Sequence, residues 1–306
     1  MKSLILDMLP CVDSADQADA CRRQLDIPRH VARELGQSAV AAARSGIFIT
    51  PSGHEVDWSQ AVQHASRAKQ SIAPRAALPP AGPASFDETQ VQVANETTFA
   101  AAQRLIGMGR KPLALNFANG IQPGGGFLNG ARAQEEVLCR SSALYLTLLD
   151  DPMYEDHRKR PLPDSTDWAI LSPEVPVFRR DDGTALDQPW MLSFITCAAP
   201  YAPSIGQSAS GDLLQRRIHR VLAIARAYGY DSLVLGAWGC GAFENDAHRT
   251  AADFRDALEG EFRGAFAHIV FAITDWSPER RILGPFRDTM NLLADATPLR
   301  RQTTDH

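Results

Sequence analysis

Several things are scarce in this chain, and each scarcity excludes a class of protein. Five cysteines in 306 residues (Cys11, Cys21, Cys139, Cys197 and Cys240) are odd in number and scattered, with no paired metal-ligand spacing. That argues against a disulfide framework and a structural zinc site, and it fits a reducing, cytoplasmic setting. Positive charge is not in excess either: 31 Lys and Arg against 36 Asp and Glu give a net charge of −5. A protein that grips a polyanion with a broad basic field leans the other way. An anionic ligand would therefore be held locally, by backbone N–H groups and helix N-termini. No apolar run reaches the length of a membrane span. The opening stretch, Met1 to Pro10, includes Asp7 and lacks a persuasive cleavage site, so it does not read as a signal peptide. There is no internal repeat, and no ligand cluster calls for a metal or a cofactor.

Hydrophobic residues make up 44% of the chain, enough for a sizeable core. Residues 11–80 read as mainly helical. Pro28 suits a first helical turn, with Val31, Leu35, Ala39 and Ala42 on one face and Gly46 as a stop. Two short extended pieces flank Pro51-Ser52-Gly53, and a helix is expected from Trp58 to Ile72. Pro74, Pro79, Pro80, Gly82 and Pro83 then read as a linker. The expected division is a helical N-terminal extension with its Pro-rich linker over 1–84, and a second domain over 85–306. His54 and His64 read as surface or packing residues.

Beyond residue 90 the rhythm becomes strand and helix in alternation. Val91 and Val93 alternate, Asn95 can cap a helix to about Arg104, and Leu113–Phe117, with its apolar start, is the next strand. A helix is expected over 134–149, then a polar stretch from Asp150 to Asp167 that is either a surface excursion or a lid. Ala169–Leu171, Met191–Cys197, Ser232–Leu235 and His268–Thr274 are further strands. Ser210 is positioned to cap an amphipathic helix that Gly229 ends, and another helix runs from Asp246 to Leu258. Such alternation predicts helices on both faces of a mixed, largely parallel sheet.

Two strand–glycine loop–helix units stand out. The first reads Leu113-Ala-Leu-Asn116-Phe-Ala-Asn119-Gly120-Ile-Gln-Pro123-Gly124-Gly125-Gly126, then seven residues, then Gln134-Glu135-Glu136. Three glycines after a proline can continue neither strand nor helix, and their bare N–H groups can close on an anion. The second runs Gly236-Ala-Trp-Gly239-Cys240-Gly241-Ala242-Phe243-Glu-Asn245-Asp246 into a helix. A dinucleotide fingerprint fits it poorly, since Glu244 stands where that motif has its third glycine. Loops at the carboxyl ends of neighbouring strands converge on one crevice, so the two should flank one elongated ligand.

Three glycines, a spacer of six to eight residues and Gln-Glu-Glu form a pattern that resembles the bacterial-type poly(ADP-ribose) glycohydrolases, a branch of the macrodomain superfamily. The resemblance implies a macrodomain-like three-layer α/β/α fold behind the helical extension. It implies that Glu136 is the catalytic acid and that Glu135 is the partner holding a ribose hydroxyl. The substrate-binding set it implies is Asn119, Gly124, Gly125, Gly126 and Gln134 in the first unit. In the second it is Gly236, Gly239, Cys240, Gly241, Ala242, Phe243 and Asn245, resembling a diphosphate-binding loop. Asn119 matches the ribose-contacting asparagine better than Asn116, and Phe243 would wall the distal ribose. Poly(ADP-ribose) or an ADP-ribosylated protein would be the substrate and ADP-ribose the product, with no cofactor and no membrane; nucleic acid would enter only as a modified acceptor.

Blander readings stand beside these. First-turn acids commonly do no more than complement a helix dipole. Cys240 sits at a possible helix N-terminus but has no histidine nearby in sequence, so it is not read as a nucleophile. Asp275-Trp276 and Glu96 stay open between packing and adenine contact. A non-catalytic ADP-ribose reader would share the glycine loops without needing Gln134-Glu135-Glu136, whereas a hydrolase of mono-ADP-ribosyl acceptors would need the same residues. Adjacent helical positions project about 100° apart, so the two acids cannot flank a sugar as a conventional glycosidase pair does. One acid should move the proton and the other should hold substrate.

Overall fold

The structure, a computed structural model, describes residues 5–291. β1 (Ile5–Met8) leads to α1 (Ala15–Leu25), capped by the Ser14 side chain, and to α2 (Arg29–Ser45), which follows Pro28 and stops at Gly46. β2 (Ile47–Ile49) and β3 (Glu55–Asp57) form a small hairpin about the Pro-Ser-Gly turn. α3 (Ser59–Ala68) is shorter than its apolar spacing suggests, because β4 (Gln70–Ile72) leaves it to pair with a distant strand.

β5 (Glu88–Ala94) precedes α4 (Thr98–Gly107). Thr97, not Asn95, caps that helix, accepting from Ala100 N at 3.1 Å. Asn95 instead donates to Asp13 at 2.9 Å and to the Asp275 carbonyl at 2.7 Å, joining the chain's opening to its last loop. β6 (Pro112–Ala118) is followed by α5 (Gln134–Ser141) and α6 (Leu144–Leu148). The single helix expected over 134–149 is interrupted because Ser142 turns extended and bridges to Val177. α7 (Pro152–Arg158), β7 (Ala169–Arg179), β8 (Ala185–Ala198) and α8 (Ala202–Ile205) follow. α9 (Gln207–Ala227) starts before Ser210, whose hydroxyl donates to Asn245 rather than capping. β9 (Ser232–Leu235), α10 (Ala247–Glu259, capped by Asp246), β10 (His268–Ala272) and α11 (Leu283–Asn291) complete the order.

Eight strands form one sheet in the order β1-β5-β10-β9-β6-β8-β7-β4, parallel from β1 through β8 and antiparallel at β7 and β4. Strand side chains alternate between two cores. Leu113, Leu115, Leu233 and Phe271 meet α9, α10 and α11 on one face. Ala114, Val234 and Val270 meet α2, α3, α4 and α5 on the other. The result is the expected mixed, largely parallel sheet between helical layers.

Residues 5–84 are woven into this body rather than hung from it. β1 and β4 are the two edges of the sheet. Trp58, Val62 and Ala65 are buried in the same core as Phe178 and Phe194. The proline-rich segment is tied down as well: Arg220 donates to the carbonyls of Ala73 and Ala76, and Arg226 to that of Gly82. Each large apolar side chain buried is worth about 1.5–3 kcal/mol, and a whole domain is stable by only about 5–15 kcal/mol. A chain beginning at Ser85 should therefore lose its cooperative thermal transition. Calorimetry would check this; a sharp transition near the full-length midpoint would contradict it.

Candidate active site

The loops that follow β5, β6, β9 and β10 open at one end of the sheet around a cavity of about 620 Å³. The helix bearing the two acids has no side-chain cap at Ala133. Gln134 anchors it instead: its amide oxygen accepts from Phe117 N at 2.9 Å, and its amide nitrogen donates to Leu115 O at 2.7 Å. Gln134 thus behaves as one more rung beside β6 and fixes the start of α5 against the strand end.

Glu135 and Glu136 line the cavity and are both buried, 3% and 8% exposed. Glu135 is engaged at each oxygen: Oε2 accepts from Asn119 N at 2.7 Å and Oε1 from Asn116 Nδ2 at 3.3 Å. Burial pushes its carboxyl up to about 8, against the N–H donor of Asn119 and with the neighbouring Glu136 adding to the rise. Glu136 differs. Its Oε1 accepts from Gly126 N at 2.9 Å, while its Oε2 is buried with no partner.

The triple glycine serves these carboxylates. Gly124, Gly125 and Gly126 form none of the cavity wall. Gly125 has φ +57°, and a Cβ there would collide with Glu136 Oε1 and lie 3.0 Å from Glu135 Oε2. Gly125 thus gives room to the protein's own pair of carboxyl groups. Asn119 lines the cavity, and its Oδ1 accepts from the N–H groups of Ile121 and Gln122, which leaves Nδ2 for a ligand.

In the second loop, Gly239, Gly241, Ala242 and Phe243 line the cavity. Gly236 does not; a side chain there would lie 2.6 Å from Ala272 O and 2.8 Å from the Phe117 ring. Asn245 is occupied with the loop itself, donating to Pro200 O at 2.9 Å and Gly239 O at 3.1 Å. Cys240 is buried away from the cavity, and burial pushes its thiol up to about 12, which makes it inert. Gly241 stands apart: a Cβ there would meet nothing within 4 Å. Protein packing does not explain this glycine. Among the described residues, the N–H groups of Gly241, Ala242 and Phe243 are donated to no protein acceptor.

Other wall residues carried no sequence signal. Leu25 and Asp26, at the end of α1, reach the cavity beside Arg132, which donates to Asp26 Oδ1 at 2.8 Å. Asp181 reaches it from the β7–β8 turn. Of the two positions left open, Glu96 lines the cavity but is held by Arg104 at 2.6 Å. Asp275 turns its carboxylate to the N–H groups of Ser277, Ile282 and Leu283, while Trp276 lines the cavity and is 42% exposed.

The polar stretch after Asp150 is a brace. His157, at the end of α7, bonds Gly120 O through Nδ1 at 2.9 Å and accepts from Thr166 N at Nε2, 3.1 Å. This arrangement fixes the neutral Nδ1–H tautomer, and burial lowers the ring's pKa in keeping with it. Arg158 donates to Ile121 O at 2.8 Å, so the stretch grips the loop that presents Asn119. Among the described residues, no group of three or more His, Cys, Asp or Glu side chains could hold a metal ion.

A family model described as the microbial-type PARG catalytic domain (PARG, poly(ADP-ribose) glycohydrolase) matches residues 36–180. No curated protein matches the chain. Among solved structures, the poly(ADP-ribose) glycohydrolase of Thermomonospora curvata is 39% identical, over 85% of this chain and 99% of that one, with a TM-score of 0.80. The same protein bound to the inhibitor ADP-HPD is 38% identical over the same shares, at 0.78. The Deinococcus radiodurans poly(ADP-ribose) glycohydrolase in complex with ADP-ribose is 39% identical, over 76% of this chain and 97% of that one, at 0.69. With identity of this order along nearly the whole length of its relatives and the same fold, the chain belongs to the microbial-type poly(ADP-ribose) glycohydrolases, on a macrodomain-like scaffold.

Proposed function

We propose that Glu136 is the acid with which this poly(ADP-ribose) glycohydrolase cleaves the ribose–ribose O-glycosidic bond, and that Glu135 is the group that holds a ribose hydroxyl beside it. One observation carries the assignment: Glu136 lines the cavity, and its Oε2 is the one carboxyl oxygen of the pair that has no protein partner. With Oε1 held by Gly126 N–H, the proton belongs on Oε2. It passes to the leaving 2′-oxygen as the bond to the anomeric carbon breaks and an oxocarbenium-like centre develops. The carboxylate then takes a proton from the water that attacks that carbon, which restores the acid and releases ADP-ribose.

Glu135, pushed up to about 8, is largely neutral at pH 7. A neutral Glu135 adds no second charge beside the carboxylate that Glu136 becomes when its proton leaves. The free N–H groups at Gly241, Ala242 and Phe243 suit the diphosphate, and Nδ2 of Asn119 suits a ribose oxygen. Binding energy gathered there, away from the reacting bond, can hold the sugar in a strained form. The relatives solved with ADP-ribose and ADP-HPD support the same ligand for this cavity. For residues 5–84 we propose a framing role, with Leu25 and Asp26 as their contribution to the wall. The cytoplasmic setting we infer rests on five cysteines that are all free; among the described residues no helix is long and apolar enough to cross a membrane.

Offering the polymer and a mono-ADP-ribosylated protein in parallel tests the substrate. Release of ADP-ribose from the polymer is expected; a protein that binds ADP-ribose and releases none would be a reader. In the same assay Gly241→Val should weaken ADP-ribose binding by roughly tenfold or more, since even one lost hydrogen bond to a charged group is worth about 1.5–3 kcal/mol. Its thermal midpoint should hold, because the added side chain meets open space. Unchanged affinity by calorimetric titration would remove the second loop from the site.

A further inference from the structure

One buried carboxylate in the cavity wall has no part in this mechanism. The β7–β8 hairpin turns at residues 180–184, closed by Arg180 N to Thr184 O at 2.9 Å. Its tip is fastened to α5, with Ser141 Oγ donating to Arg180 O at 3.2 Å and Arg140 Nη2 to Asp181 O at 3.3 Å. The hairpin thereby delivers Asp181 to the wall, beside Leu25, Thr97 and Val137, with only 8% of the residue exposed. Oδ2 accepts from Thr97 Oγ1 at 2.7 Å. Oδ1 is buried and has no partner.

Among the cavity-lining residues, the buried acceptor atoms without a partner are Glu136 Oε2 and Asp181 Oδ1. Burying an acceptor unmet is costly, so such atoms call for an explanation. A structural ion pair does not supply one. The Arg140 guanidinium bonds the Asp181 backbone carbonyl, and no ion pair within 4.0 Å joins it to the carboxylate among the described residues. Burial pushes the Asp181 carboxyl up to about 6, which still leaves it mostly ionised and an acceptor at neutral pH.

We infer that Asp181 is a substrate-binding residue whose Oδ1 accepts a hydrogen bond from a neutral donor, a hydroxyl or an amine, of an ADP-ribose unit. This rests on the reading of the cavity as the site of poly(ADP-ribose) hydrolysis. The donor belongs either to the unit retained as product or to the unit beyond the broken bond, and both present hydroxyls and an adenine amine. The charge of Asp181 is offset by the buried Arg140 nearby, so the site does not demand a cation.

Asp181→Asn keeps the shape and removes the charged acceptor. A hydrogen bond to a charged group commonly accounts for about tenfold or more in binding. The expected result is a rise of that size in the KM for polymer, with kcat altered by less than about threefold. If the Kd for ADP-ribose rises equally, the donor lies in the retained unit; if KM rises alone, it lies beyond the bond. Unchanged KM and Kd overturn the assignment. So does a fall in kcat alone, which would mean that Asp181 acts through Glu136. Because a lone buried Arg140 could unsettle the fold, the neutral pair Arg140→Gln with Asp181→Asn is measured alongside, and its failure to reproduce the weakening also overturns the contact. A wild-type protein that binds ADP-ribose without hydrolysing polymer would sink the reading of the site, leaving the Kd arm to judge Asp181.

Discussion

Glu136→Gln is expected to slow single-turnover release of ADP-ribose by at least about 10²–10⁴-fold, the range general acid–base catalysis contributes, while ADP-ribose still binds. The substitution is nearly isosteric. The amide oxygen can keep the bond from Gly126 N–H, which now holds Oε1 at 2.9 Å. The amide nitrogen then takes the place of Oε2, and it has no acidic proton to give. Binding should persist because the second loop, with its free N–H groups at Gly241, Ala242 and Phe243, is untouched. The competing account is that the first-turn acids of α5 merely complement its dipole. That account predicts a loss of about 0.3–1 kcal/mol in stability and an unchanged rate per folded molecule. Burial already weighs against it, since an exposed side chain suffices for a dipole interaction and Glu136 is 8% exposed. Thermal midpoint and single-turnover release, measured on one preparation, separate the two. A slightly less stable variant that hydrolyses polymer at the wild-type rate would end the proposed mechanism.

What could be read from the sequence was whatever has a local cause. Leu113 to Ala118 announces a buried strand because every residue in it but Asn116 is apolar, and the glycines after Pro123 announce a break because the positive φ at Gly124 and Gly125 is one that glycine takes at no steric cost. The same logic finds α10, whose start at Asp246 is a side chain accepting from Arg249 N. What escaped has a tertiary cause. β1 and β4 are four and three residues long and partly exposed, so neither shows an alternation, and only pairing with β5 and β7 makes them strands. Ser142 breaks the expected long helix because Val177 lies beside it, a fact no helical period contains. Asp181 stood out in no motif of the sequence. Its arrival at the cavity depends on the course of a hairpin with register shifts between Ser172 and Val175 and between Val177 and Arg179. The first glycine loop is the instructive case. That glycines were needed was legible; that a Cβ at Gly125 would meet two glutamate oxygens was not.

Gly125→Ala turns that distinction into a measurement. The residue sits at φ +57°, where an L side chain costs roughly 1–2 kcal/mol, so a modest fall in thermal midpoint is expected on backbone grounds alone. The larger consequence is local. The new methyl would collide with Glu136 Oε1 and press on Glu135 Oε2 from 3.0 Å, and both oxygens are already fixed by N–H donors of the surrounding loop. The carboxylates must shift or the loop must open, and either moves the acid from the leaving oxygen. A misplacement of about 1 Å can cost on the order of 10²-fold in rate, so turnover should fall by at least that factor. Affinity for ADP-ribose should change by only a few fold, because the diphosphate is assigned to the other loop. If the triple glycine were instead a phosphate cradle, the pattern would invert, with affinity lost and the rate at saturating polymer retained. Gly241→Val is the matched control, since it crowds the second loop without approaching either acid. Calorimetric titration with ADP-ribose and single-turnover hydrolysis on both variants would decide the matter, and a Gly125→Ala protein that binds poorly yet turns over normally would return the first loop to the role of holding phosphate.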